Sequence, residues 1–188
     1  MKFNDHSKLE GSHAFLSASN YSWLNYTKDK LTDVFNNTLA TKLGSELHEL
    51  ASQLIKYRIK VAKNKKAFYL FVNDCIGYNM ESEQVLFYSE YCYGTADAIK
   101  FHDNKLMIFD LKTGKQKCKF DQLKIYAALF CLEYDKSPYD ILMELRIYQF
   151  NTFEVFYPEP EEIRYIMDKI IEFDQHLQKI NSVTQRGN

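Results

Sequence analysis

Glycine and proline are scarce in this chain, 6 and 3 in 188 residues, which excludes collagenous, low-complexity or turn-dense sandwich designs. A net charge of one sign is missing too. The 24 Lys and Arg nearly balance the 25 Asp and Glu, so any electrostatic case for nucleic acid must be local. No apolar run approaches the roughly 18 uninterrupted residues that a membrane helix requires, and no membrane partner is expected. The four cysteines, Cys75, Cys92, Cys118 and Cys131, contain no C-x-x-C pair, and the opening MKFNDHSKLE lacks the apolar stretch of a secretory signal. A reduced, cytoplasmic chain is the expectation.

What is present is material for a core. Apolar residues make up 46% and aromatic residues 15%, with 14 Tyr and 14 Phe, which excludes intrinsic disorder and fits one folded domain over 1–188. Along the chain, Phe15 to Ser19 reads as a short extended piece. A helix capped by Ser19 or Asn20 then runs to about Leu31. From Thr41 to about Val61, apolar residues at three- and four-residue steps predict an amphipathic helix with a basic tail. A polar stretch spans Asn73 to Glu83. β-formers dominate from Val85 to Phe101 and again from Leu106 to Leu111. A helix over about 120–134, a strand over 141–150, a pairing strand over 152–157 and a helix over 161–180 follow, with a frayed tail beyond. This order predicts an α/β fold with a central mixed β-sheet flanked by helices.

The informative segment runs from Gly94 to Lys112. If Asp103-Asn104 forms a two-residue hairpin turn, His102 faces Lys105 and Asp97 falls opposite Asp110. Strand alternation then puts Thr95, Asp97, Ile99 and Phe101 on one face with Leu106, Ile108, Asp110 and Lys112. The other face, with Ala96, Ala98, Met107, Phe109 and Leu111, is apolar as well, so the hairpin belongs inside a covered sheet. Opposed carboxylates with β-carbons roughly 5 Å apart destabilise a sheet unless a positive charge sits between them. A divalent cation would supply it. Hard oxygen ligands favour Mg2+ or Mn2+, and Lys112 would share the same space, where its charge could steady a developing oxyanion. Asp-x-Lys alone means little in so charged a chain, and its second copy, Asp103-Asn104-Lys105, is the turn itself.

In order, Gly94-x-x-Asp97, Asp110-x-Lys112 and Gln122-x-x-x-Tyr126 resemble the PD-(D/E)XK nuclease superfamily, in particular its RecB-like branch, which includes phage-borne and CRISPR-adaptation nucleases. Upstream, Leu16-Ser17-Ala18-Ser19 before a Trp23-bearing helix, and Gly44-x-x-x-His48-Glu49, look like the two segments that precede the hairpin in that branch. The resemblance implies a restriction-endonuclease-like core, with an N-terminal helical part (1–66) carrying His48, a catalytic sheet and helix (84–157) and a C-terminal helix (159–180). It implies that His48, Asp97, Asp110 and the backbone carbonyl of Leu111 bind Mg2+ or Mn2+, and that Lys112 is the catalytic lysine. Glu49 is a backup ligand only. Gln122 and Tyr126, four apart on one helical face, would contact DNA or order the site. Some RecB-like members hold an iron–sulfur cluster through one early and three late cysteines. Residues 1–74 and 132–188 contain none, so no cluster is expected.

Local charge suits a DNA partner. Lys56, Arg58, Lys60, Lys63, Lys65 and Lys66 form one basic run, and Lys112, Lys115, Lys117 and Lys119 a second. Nothing reads base edges, so backbone contacts with little sequence preference are expected. The implied activity is a metal-dependent deoxyribonuclease, an exonuclease by preference, of bacterial or phage recombination or repair in the bacterial or infected-host cytosol. A recombination partner protein or further copies of the chain complete the list of partners that this reading allows. The competing readings are a non-catalytic DNA-binding or partner-binding accessory of the same fold, and a protein–protein scaffold that uses the aromatic excess.

Overall fold

The computed structural model describes residues 4–186. It divides into two compact units, one up to Ser45 and one from Glu46 onward, with the division inside helix α1 (Lys28–Lys56).

In the first unit the expected extended piece at 15–19 is a series of turns and bends, and Tyr21–Asn25 is a 3-10 helix rather than part of an α-helix. The Trp23 indole N–H donates to the Ser17 carbonyl at 2.9 Å, and Phe15 meets Phe35 edge-on at 5.1 Å. The α-helix starts only at Lys28, where the Thr27 hydroxyl accepts from the Lys30 amide (3.2 Å) and so caps the first turn.

In the second unit α1 stops at Lys56, short of the expected Val61. Arg58 takes a left-handed conformation (φ 56°), its amide bonding Ile55 O (3.1 Å) while the Ile59 amide reaches back to Leu54 O (2.9 Å). That is a Schellman ending in which an arginine occupies the place glycine usually takes. Helix α2 (Ala67–Gly77) was not foreseen; it follows the basic run and takes up the start of the supposed polar stretch. It ends the same way, with Asn79 left-handed (φ 55°) and the Met80 amide on Cys75 O (2.9 Å). The block of β-formers is two strands, β1 (Glu81–Ser89) and β2 (Cys92–His102), followed by β3 (Lys105–Lys112), α3 (Asp121–Glu133), β4 (Leu142–Gln149), β5 (Thr152–Phe156) and α4 (Pro160–Arg186). The last helix therefore continues through most of the tail expected to fray, of which residues 187 and 188 lie outside the described part.

The sheet order is β1-β2-β3-β4-β5, with β3 and β4 parallel and every other pair antiparallel. Helix α3 is the crossover between the parallel pair. One face carries Leu86, Ile99, Ile108 and Leu145 against α3 and α4. The other carries Ala98, Phe109, Leu111 and Tyr148 against α2 and the end of α1, through Phe71, Val72, Ala51 and Ile55. Chemistry-bearing residues on β3 therefore sit in a strand covered on both sides. The chain is an α/β protein whose five-stranded mixed sheet packs against four helices. Among the described residues no helix is long and apolar enough to cross a membrane. All four cysteines are free, Cys75 and Cys131 buried.

Candidate metal centre

The hairpin turn is the one expected. Asp103 and Asn104 both have positive φ (50° and 56°), as a type I′ turn demands, and the ladder runs from His102↔Lys105 to Ala98↔Phe109. The ladder stops one step short of the expected Asp97–Asp110 pair, though Asp97 stays close enough for its charge to act on Asp110. Simple alternation fails there, however. Ala96 and Ile99, of opposite parity, both join the core on the α3 side, whereas Ala98 joins the other core. Thr95 is exposed rather than beside Asp97, and Ala96 points inward on the face assigned to Thr95. The break is centred on Asp97. Across from it the β1–β2 ladder pairs Ser82↔Ala98 and Gln84↔Ala96 but skips Glu83, which is left-handed (φ 53°). This local irregularity re-aims side chains, as bulges next to sites commonly do.

Asp97 and Asp110 are held differently. One oxygen of Asp97 accepts the Leu111 backbone N–H at 2.8 Å and lies 3.2 Å from His48 Nδ1, presented by α1. Asp110 is only 2% exposed. Lys112 Nζ stands 3.0 Å from both of its oxygens but is aligned as a donor only to Oδ1. Oδ2 accepts a hydrogen bond from none of the described residues. A buried carboxylate oxygen without a hydrogen bond is costly and calls for an explanation. Burial, and then the charge of Asp97, push the Asp110 carboxyl up to about 6, with Lys112 opposing. The hydrogen bond with Asp97 holds the His48 imidazole above its ordinary value against the opposing effect of burial.

The helix α3 pair closes the other side. Gln122 Oε1 accepts from Lys112 Nζ (2.7 Å), and Gln122 Nε2 donates to the Tyr126 hydroxyl (2.9 Å). Tyr126 in turn lies against Gly94, where a β-carbon would come within 2.8 Å of ring atom Cε1. Gly94, Tyr126, Gln122, Lys112 and Asp110 thus form one continuous chain of contacts, a physical reason for the motif order. Gly94→Ala is expected to force the Tyr126 ring aside and cost about 1–3 kcal/mol, measured by urea denaturation. Wild-type stability in that variant would show that the ring yields freely.

The remaining candidates fall outside the cluster. Lys115 and Lys119 are exposed on the loop between β3 and α3, and Lys117, exposed there too, pairs with Glu154 at 3.0 Å. Glu49 is exposed and accepts from Gln53 (3.4 Å) instead of joining His48. The residue missed from sequence is Glu83, which joins His48 and Asp97 in a group whose ligand atoms lie within 4.8 Å of one another. The sequence reading left it at the end of the polar stretch Asn73 to Glu83, and its place depends on a register that becomes visible only in the folded sheet. Comparison with protein-family models, curated proteins and solved structures finds no match.

Proposed function

We propose that the protein is a Mg2+- or Mn2+-dependent nuclease with a restriction-endonuclease-like core that hydrolyses DNA phosphodiester bonds with little sequence preference. The observation that carries this reading is the buried Asp110 oxygen that accepts no hydrogen bond, set beside Asp97 and the Lys112 ammonium. The donor set fits a hard divalent ion. Asp97, Asp110 and the Leu111 carbonyl would hold it, with His48 adjoining. When bound, such an ion neutralises the paired carboxylates, polarises a phosphoryl oxygen and lowers the pKa of a coordinated water.

The other groups act through their own positions. Asp110 and Gln122 hold the Lys112 ammonium in place, leaving a donor for a phosphate oxygen as charge builds on it. The Leu111 amide fixes the Asp97 carboxylate, so that oxygen needs little reorganisation when a ligand arrives. Lys115 and Lys119, on the loop that enters α3, would take backbone phosphates as point charges.

The test is incubation of end-labelled linear and closed circular DNA with Mg2+, Mn2+ or chelator. Cleavage with either metal and none with chelator is expected, and survival of the circle alone would identify an exonuclease. Failure to cut either DNA with either metal would overturn the reading. Salt-dependent binding in that case would point to the non-catalytic accessory.

A further inference from the structure

We propose that helix α4 is a self-association surface, on which two copies of the chain pair their α4 helices antiparallel, each seating the other along the apolar groove between α3 and α4. The inference does not depend on the nuclease reading. None of His48, Asp97, Asp110, Lys112, Gln122 and Tyr126 lines the groove.

The groove holds about 890 Å³ and is walled by Ile125 of α3 and by Ile166, Ile170, Phe173 and Leu177 of α4. Those four α4 residues follow steps of four, three and four, the a/d spacing of a coiled-coil seam, and such a seam is complemented by a second helix. The seam begins in the core and runs on past it. Ile163 and Met167 are buried and Ile166 and Ile170 are half-buried against the α3 side of the sheet, whereas Phe173 and Leu177 stay 57% and 41% exposed. A helix stripe that served only its own core would turn polar where the core ends. Asp174 keeps this turn of α4 tied to its own chain, since its buried carboxylate accepts from the Ser89 hydroxyl at the end of β1 and from Gln178. The exposed seam is therefore held in place before any partner arrives, which lowers the ordering cost of association.

Charge selects the occupant and its direction. From Pro160 to Asp174 the helix carries five acids and two bases, whereas from Gln175 onward the sequence has two bases and no acid. A parallel pair would set acidic half beside acidic half. An antiparallel pair sets each acidic half beside the other's basic half, so a second copy supplies both the helical seam and the matching charge. In that register Ile166 meets Leu177 of the partner subunit and Ile170 meets Phe173 of the partner subunit, with the two-fold axis between Ile171 and Glu172. Glu161 then falls within one helical turn of Lys179 of the partner subunit.

Sedimentation equilibrium of the full chain over a concentration series tests this. The wild type is expected to reach twice the 22.3 kDa of one chain. Phe173→Glu and Leu177→Glu replace exposed side chains, so circular dichroism is expected to show an intact fold while the dimer weakens by at least roughly a hundredfold. Glu161→Lys and Lys179→Glu are each expected to weaken it about three- to tenfold at low salt, and the double reversal, which restores opposite charges across the two-fold axis, to recover it. A wild type that stays monomeric up to roughly 100 µM overturns the proposal and leaves the seam to a helix of another protein. A Phe173→Glu variant that dimerises like the wild type overturns it as well. A double reversal that remains as weak as its parents' combined losses overturns the antiparallel arrangement.

Discussion

Without divalent cations at pH 7.5, Asp110→Asn is expected to be more stable than the wild type by up to about 3 kcal/mol, melting roughly 5 to 10 °C higher. The carboxyl sits near 6 in the folded chain against an ordinary value of 3.8, and each unit of that difference is worth about 1.4 kcal/mol. The sign follows from proton binding. Between about pH 4 and 6 the folded state keeps a proton that the unfolded state has released, so raising the pH through this window removes stability. Above it the full cost of a buried anion is present. The wild type should lose stability from pH 4 to 6 at this site, and the asparagine variant should lack that component.

Removing the charge also removes half of the ion pair with Lys112, but that attraction already opposes the upward shift and does not cancel it. Added Mn2+ should stabilise the wild type, by about 2.7 kcal/mol at one hundred times the dissociation constant, and the variant by less. Thermal melts in chelator and in Mn2+ across pH 4 to 8 check both parts. If the variant melts below the wild type in chelator at pH 7.5, the Lys112 pair outweighs desolvation, and Asp110 is a structural anion with no need of a metal.

Legibility varied with how local the determining chemistry is. The β2–β3 hairpin was readable because Asp and Asn tolerate the positive φ that both turn positions require, and the turn then sets every pair down to Ala98↔Phe109. The fold class followed from the order of elements. Helix α2 was hidden because Ala-Phe-Tyr-Leu-Phe-Val is apolar all round, with no polar stripe to mark a period, and follows a basic run that looked like the tail of α1. The β1–β2 boundary was hidden because Glu90 and Tyr91 make the turn without glycine or proline. At the site, His48, Asp97, Asp110 and Lys112 were singled out by motif order, and the structure brings them together. Glu83 was not, because its place arises from a cross-strand irregularity to which no spacing in the chain points.

Lys112→Ala is expected to lower kcat for DNA cleavage by at least 10²- to 10³-fold, about 3–4 kcal/mol, with the fold intact. The loss has two possible origins. The ammonium acts directly if it donates to the phosphate as charge develops. It acts indirectly if it serves only to keep Asp110 ionised, since removing it takes away the cation that opposes the rise in the Asp110 pKa. An indirect role predicts a specific rescue, because raising the pH favours the ionised Asp110 that Lys112 would otherwise support, and the variant should gain more activity from pH 7 to 9 than the wild type does. Direct participation predicts that the deficit persists at pH 9, and that is the outcome expected here. Gln122→Ala provides the control. It removes the acceptor 2.7 Å from Nζ and leaves the Asp110 pair, so a loss of about tenfold is expected. That loss should vanish in a Lys112→Ala background, because a residue that acts only by holding the ammonium has nothing left to hold. Additive losses in the double variant would mean that Gln122 touches the DNA itself.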